Sequence, residues 1–219
     1  MKKLFFAAFF LVSFVFSQAQ SPACTSSQKE TGDCMKNYKG TPYAGLSSPK
    51  GQAIPGKVML AYFDDGGEGI AWHDTDKGCM GGLRSTTDVD SKTTNPDDGD
   101  KTTPFHNSMA VVTMGMPYIA WTESSEWVNI TVDVTEAGVY DIDLFYSANG
   151  DNGVVSFAMN GKDVSGNISL LTTGYYHQWH ECKVAEVELQ KGRQVLTFKI
   201  HMADGTNFAS LNFNKKQNK

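Results

Sequence analysis

The stretch FDDGGEGIAWHDTDKG, Phe63 to Gly78, gathers five acidic residues, a histidine and four glycines. Oxygen ligands close together on a glycine-rich turn are what a calcium ion requires. The spacing nevertheless departs from the D-x-D-x-D-G loop, both at Asp64-Asp65-Gly66-Gly67-Glu68 and at Asp74-Thr75-Asp76. A phosphate loop is excluded by charge, because phosphate needs bare N–H groups or a lysine rather than carboxylates. The remaining reading is a tight turn whose carboxylates accept backbone N–H bonds.

Paired carboxylates could also hydrolyse a glycoside, with Glu123 and Glu126 as a second candidate pair. That chemistry needs two carboxyl groups facing across a cleft, roughly 5–9 Å apart. The acids of this chain are spread over turns and strand faces, the pattern of a solvated surface. No G-x-S-x-G nucleophile elbow occurs, and His73, His106, His177, His180 and His201 are isolated in sequence. The aromatics are more informative. Tyr175 and Tyr176 follow Thr172-Thr173-Gly174, so two rings sit at a glycine turn where burial is difficult. An exposed tyrosine can lay its face on the C–H side of a sugar while its hydroxyl stays wet. The competing reading folds one ring back on the edge of the domain. Trp72, Trp121, Trp127 and Trp179 lie in strand-like runs and are assigned to the core.

The elements that would position these residues are short strands. Trp127 to Val134 and Val139 to Tyr146 alternate with period two around the turn Thr135-Glu136-Ala137-Gly138. The same alternation returns at Val154 to Met159, Val184 to Leu189 and Val195 to His201, punctuated by Asn149-Gly150, Asn160-Gly161 and Lys191-Gly192. Many short strands spaced by glycine turns predict an all-β antiparallel sandwich or barrel. No long amphipathic helix is read, and no internal repeat. Residues 91–117 interrupt the rhythm, polar first and then apolar. Two readings stand for them: a mobile surface excursion, or an ordered functional loop.

Length favours one domain. Lys2 and Lys3, an apolar run from Leu4 to Phe16, and Ser17-Gln18-Ala19 form a signal peptide, residues 1–19, cleaved after Ala19. Secretion or delivery to the periplasm follows. Lipid attachment at Cys24 is disfavoured by Ser21-Pro22-Ala23 before it. Loss of Lys2 and Lys3 moves the formal charge from −5 to about −7. An acidic surface argues against nucleic acid and anionic membranes as partners and is neutral towards an uncharged ligand. Beyond the leader no apolar run is long enough for membrane insertion. Residues 20–53 read as a lead-in, and residues 54–215 as the domain. Cys24, Cys34, Cys79 and Cys182 in an oxidising compartment are disulfide candidates with three pairings open. The pairing taken forward is Cys24–Cys34 with Cys79–Cys182.

Several pieces, in order, resemble the family 6 carbohydrate-binding modules, over about residues 54–213. Ile54-Pro55-Gly56-Lys57 looks like the opening strand, and Phe63 to Asp74 is similar to the "FDxGGEGVAYHD" signature. Gly81-Gly82-Leu83-Arg84 with Asp88-Val89-Asp90 resembles "GG..R…VD", and Ile119 to Val128 resembles "VGWTxxGEWL". Val134 to Tyr140 is similar to "VxxAGxY", Thr173 to Trp179 to "TGGWQxW", and Asn207 to Phe213 to the closing strand "NLxxIxF".

The resemblance implies a noncatalytic jelly-roll β-sandwich of two antiparallel sheets, acting as a monomer on a polysaccharide or oligosaccharide. It turns the acidic stretch into scaffold. It also implies a loop site containing Tyr176 and Asn207, with Tyr175 beside them. Three departures accompany it. The family's calcium-binding glutamates fall at Met59 and Ala61; its second stacking ring falls at Leu83, leaving Phe105 or Tyr118 to replace it; and the segment 91–117 is long. Two other functions remain in view, a small glycan-acting enzyme and a sandwich that mediates protein contacts without binding sugar.

Overall fold

The computed structural model of the chain describes residues 35–102 and 111–217. The leader, Cys24, Cys34 and Phe105 lie outside these residues. The regular structure of the described chain is almost entirely β. One sheet has the order β1 (Gln52–Ile54), β7 (Trp127–Val134), β13 (Gly192–Met202), β9 (Val154–Met159), β10 (Lys162–Asp163). The other has the order β4 (Ser91–Thr93), β6 (Pro117–Ile119), β14 (Thr206–Lys215), β8 (Gly138–Ala148), β12 (Gln178–Leu189), β5 (Lys101–Thr102). The expected antiparallel sandwich is corrected in one respect. β1 runs parallel to β7 and β5 parallel to β12, so both sheets are mixed at an edge. Among the described residues no helix is long and apolar enough to cross a membrane.

The alternation that predicted the strands also makes the core. Ile130, Val132 and Val134 of β7, Leu196, Phe198 and Ile200 of β13, and Ile142, Leu144 and Tyr146 of β8 meet Phe208, Leu211 and Phe213 of β14 between the sheets. A second, smaller core lies on the other face of the β8–β12–β14 sheet. There Phe145, Trp179 and Ala209 are covered by Tyr118 and Ala120, with Val112 and Met116 packed against them. Tyr118 meets Trp179 edge-on at 4.9 Å between ring centres. The covering side chains come from residues 91–117 and their immediate continuation. This segment therefore supplies the strands β4 and β5 at opposite edges of one sheet and an apolar cover for its outer face.

The acidic stretch of Phe63 to Gly78 is scaffold. Asp64 is buried and accepts from Thr131 N (2.8 Å) and Thr131 Oγ1 (2.6 Å). Asp65 accepts from Ala44 N at 2.9 Å and Arg84 Nη2 at 2.7 Å. Only Trp72–His73, β3, is a strand within it. Arg84 is buried between the rings of Tyr43 and Phe63, at 3.9 and 4.2 Å from their centres, and donates to Phe63 O (2.8 Å) and Ala61 O (3.3 Å). Residues of the lead-in thus lie against the sandwich: Tyr43 also stacks on Tyr62, and Tyr38 packs with Val195.

The Cys79–Cys182 pairing is corrected, because both are free thiols. Cys79 Sγ lies 3.5 Å from Ser91 Oγ on β4, whereas Cys182 sits on β12 opposite Leu144. Three strands, β6, β14 and β8, separate β4 from β12. At about 4.8 Å per strand spacing, the two lie roughly 19 Å apart along the sheet, against the ~7 Å Cα separation that a disulfide spans.

Two predictions follow from these buried charges. Replacing Arg84 with Met strands two carbonyls and a partly buried carboxylate, so Arg84→Met should lower unfolding free energy by about 3–4 kcal/mol; chemical denaturation measures it. Asp74 is buried beside Glu126, Asp76 and Asp90, and burial pushes its carboxyl up to about 7. A carboxyl that holds its proton longer when folded costs stability as pH rises from about 4, its unfolded value, to about 7. Asp74→Asn keeps an acceptor for Asp76 N and removes this cost. The variant should match the parent near pH 4 and exceed it at pH 8 by about 2 kcal/mol, half of the ~4 kcal/mol that a move from about 4 to about 7 represents, because solvent screens part of the interaction. Parallel stability-against-pH curves would refute the assignment.

Candidate functional site

The sandwich carries a cleft of about 610 Å³ at the end where β12 and β14 begin. Tyr176 and His177, just ahead of β12, form one part of its lining. Gly205, Thr206 and Asn207, entering β14, form another. Trp121, Thr122 and Glu123, between β6 and β7, form a third, and Asp76, Lys92 and Asp98 add charged groups. Buried Tyr118 reaches the cleft from the second core.

Two large rings border this space without being buried. Tyr176 is 41% exposed and Trp121 48%. Each is seated on a glycine. A methyl group at Gly205 would come within 2.9 Å of Tyr176 Cε1, and one at Gly81 within 3.0 Å of Trp121 Cζ3 and 2.6 Å of Ser91 O. Only a residue without a side chain lets the rings lie this close to the backbone. Trp121 itself holds a left-handed backbone, φ 47°. Bulky residues avoid that region, and retaining it at a cleft is a cost of the kind concentrated at functional positions.

Asn207 is 6% exposed, and its amide is already engaged on one side. Nδ2 donates to Tyr176 O at 2.8 Å and to Ser147 Oγ at 3.3 Å. Ser147 Oγ–H also donates to Tyr176 O. Asn207 therefore fixes the tyrosine loop from below, and Oδ1 is the atom left for a ligand. The sequence reading, in which this amide offers donor and acceptor together, is modified accordingly. A second anchor comes from residues 91–117. Asp100 accepts from Trp179 Nε1 (2.6 Å), from Asn95 N (2.8 Å) and from His177 Nδ1 (3.1 Å). Lys101 N also donates to His177 O at 3.0 Å. Asp98 is paired with Lys92, and that contact holds its carboxyl below the usual range.

Of the residues singled out from sequence, Tyr176 and Asn207 meet in the cleft. Tyr175 is 50% exposed but stands behind Tyr176, edge-on at 5.7 Å, and is not part of the lining. Leu83 packs partly against the main core. Trp72, Trp127 and Trp179 are buried as expected, and Trp121 is the exception. Its position is legible in retrospect. It is followed by Thr122-Glu123-Ser124-Ser125-Glu126, a polar run that ends the strand before it.

At the place where the resemblance implies calcium, the residues do not fit the ion. Ala61 is fully buried and offers no oxygen side chain, and Met59 offers a thioether to a cation that takes oxygen. The main chain of Met59 is instead held by Gln52, whose Oε1 accepts from Met59 N at 2.8 Å and whose Nε2 donates to Met59 O at 2.9 Å. Asp98, Asp100 and His177 have ligand atoms close enough to hold a metal ion. Protein donors already engage them: Lys92 and Asn95 Nδ2 at Asp98 Oδ2, and Trp179, His177 and Asn95 N at Asp100.

No protein-family profile matches the chain, and no curated protein is similar to it. Solved structures of carbohydrate-binding modules are similar in fold. A family 6 module from Clostridium cellulolyticum, in complex with xylose, is 12% identical with a TM-score of 0.47, covering 75% of this chain and 100% of that one. A β-1,3-glucan-binding family 6 module from Bacillus halodurans is 12% identical with a TM-score of 0.45, covering 74% and 98%. A family 35 module from Cellvibrio japonicus is 22% identical with a TM-score of 0.41, covering 54% and 86%.

Proposed function

We propose that this chain is an exported, noncatalytic carbohydrate-binding protein that holds a sugar unit of a polysaccharide between Trp121 and Tyr176. The observation that carries the reading is the pair of exposed rings bordering one cleft, each seated on a glycine. An aromatic face suits the C–H face of a pyranose, and an edge-on or offset approach of ring to ring is not required for it. Asn207 Oδ1 accepts from a sugar hydroxyl while its Nδ2 keeps the Tyr176 loop in place. Trp121 takes the part of the ring that the resemblance expects at Leu83. The motifs from Phe63 to Phe213 support the same reading independently of the cleft.

The cleft is shallow and wet, so affinity in the micromolar to millimolar range is expected, about −4 to −8 kcal/mol. Catalysis is not proposed. Of the cleft carboxylates, Asp98 is neutralised by Lys92 and bound by Asn95 Nδ2 at 2.6 Å, which removes it as a proton donor.

The test is native affinity electrophoresis of residues 20–219 through gels holding xylan, mixed-linkage and β-1,3-glucans, agarose-type galactans or mannans. Retardation by one polymer is expected, and Tyr176→Ala should weaken it by at least about tenfold with little change in unfolding midpoint. Trp121→Gly should weaken it similarly while holding or raising the midpoint, because glycine accepts the left-handed backbone without strain. Binding unchanged in both variants would remove the cleft from consideration. Turnover of any polymer would replace the binding reading by a catalytic one.

A further inference from the structure

The polar atoms of the cleft are unevenly committed. Its cationic and amide donors are spent inside the protein. Asn207 Nδ2 serves Tyr176 O, Thr122 Oγ1 donates to Thr206 O at 2.7 Å, and Lys92 Nζ is paired with Asp98. His177 Nδ1 faces Asp100, so in the neutral ring its N–H is directed there and Nε2 is an acceptor. The acceptors, by contrast, remain available. Asp76 and Glu123 both line the cleft and are exposed, and no cationic side chain among the described residues pairs with either. Asn207 Oδ1 adds a neutral acceptor. Behind Asp76 stand the further carboxyls of Asp74, Asp90 and Glu126, close enough to act on one another. The two rings complete the picture, since an aromatic face attracts a cation and not an anion.

Resting on the carbohydrate reading above, we infer that the cleft is selective for an amino sugar carrying a protonated amine, and discriminates against uronic or sulfated units. An ammonium group offers three donors and no acceptor, matching a rim of free acceptors between two π faces. A carboxylate or sulfate would meet Asp76 and Glu123 with no unpaired lysine or arginine in the lining to offset them.

The discriminating experiment is calorimetric titration with matched short oligosaccharides that differ in one group. β-1,4-Glucosamine and cello-oligomers of equal length form one pair, and galactosamine and galacto-oligomers a second. Oligogalacturonate is the anionic member, and all are measured below the amine pKa. The amine should bind about tenfold more tightly than its neutral partner, as two exposed charge contacts allow, and the uronate not measurably. The advantage should fade in high salt and in Asp76→Asn/Glu123→Gln, whose exposed positions leave the fold intact. Lys92→Gln frees Asp98 and should widen the advantage, an effect of opposite sign that misfolding cannot imitate.

Since the whole protein is acidic, Asp163→Asn/Glu188→Gln, exposed carboxylates outside the cleft, is the control for attraction to the general surface. An amine preference that falls as far in this control as in Asp76→Asn/Glu123→Gln overturns the inference. Equal affinity within a pair, or preference for the uronate, overturns it while leaving sugar binding in place. Binding by no member of any pair overturns both.

Discussion

The buried guanidinium of Arg84 is the interaction on which the rest of the molecule leans. Burial makes its charge costly and lowers its proton affinity, and Asp65 and two carbonyls offset that cost. Its plane lies between Tyr43 of the lead-in and Phe63 of the acidic stretch. Three segments with no regular structure of their own are joined at one point. A fourth follows from it, because the chain immediately before Arg84 contains Gly81, the seat of Trp121. A planar, always-charged fork between two rings is a role that lysine could not fill.

From that joint outward, the cleft is positioned by layers rather than by a single element. Trp121 stands on the Gly81 loop, which Ser91 tethers through Leu83 N and Arg84 N. Tyr176 stands on Gly205 and is tied from beneath by Asn207 and Ser147. Asp100 ties the tyrosine side to the outer core through His177 and Trp179. The rings are therefore exposed while their supports are buried. That arrangement preorganises a site, since little conformational entropy remains to be lost when a ligand arrives.

How far this was legible in the sequence differs by layer. β7 and β9 were read with the bounds they have, because only one face of each alternation carries large apolar side chains and turns bracket them. β12 was read only from Val184, although it begins at Gln178. Trp179, His180 and Glu181 are buried in succession there, since residues 91–117 cover the outer face, and a strand buried on both faces shows no alternation. The bulge between Lys183 and Ala185 breaks the period as well. Tyr176 and Asn207 could be found because their motifs were recognisable. Trp121 could not be found from its type, as tryptophan in a strand-like run is ordinarily core. Its exposure depends on a left-handed backbone and on a glycine forty positions earlier, neither of which a local pattern records.

The placement of the inserted segment has a consequence for how copies of this protein behave beside one another. A sandwich has open edges, and an open edge is a template on which another chain can add a strand. Here the sheet that carries the cleft ends in β4 and β5, three and two residues long and each bearing a lysine, Lys92 and Lys101. The facing sheet ends at β10, the two charged residues Lys162 and Asp163, and at the three-residue β1. Among the described residues the longer border is β12, of which β5 covers only Gln178 and Trp179; the remainder carries Lys183, Glu186 and Glu188 and is broken by the bulge between Lys183 and Ala185. Molecules crowded side by side would thus meet only short, bulged or charged strand borders, a poor template for joining sheet to sheet.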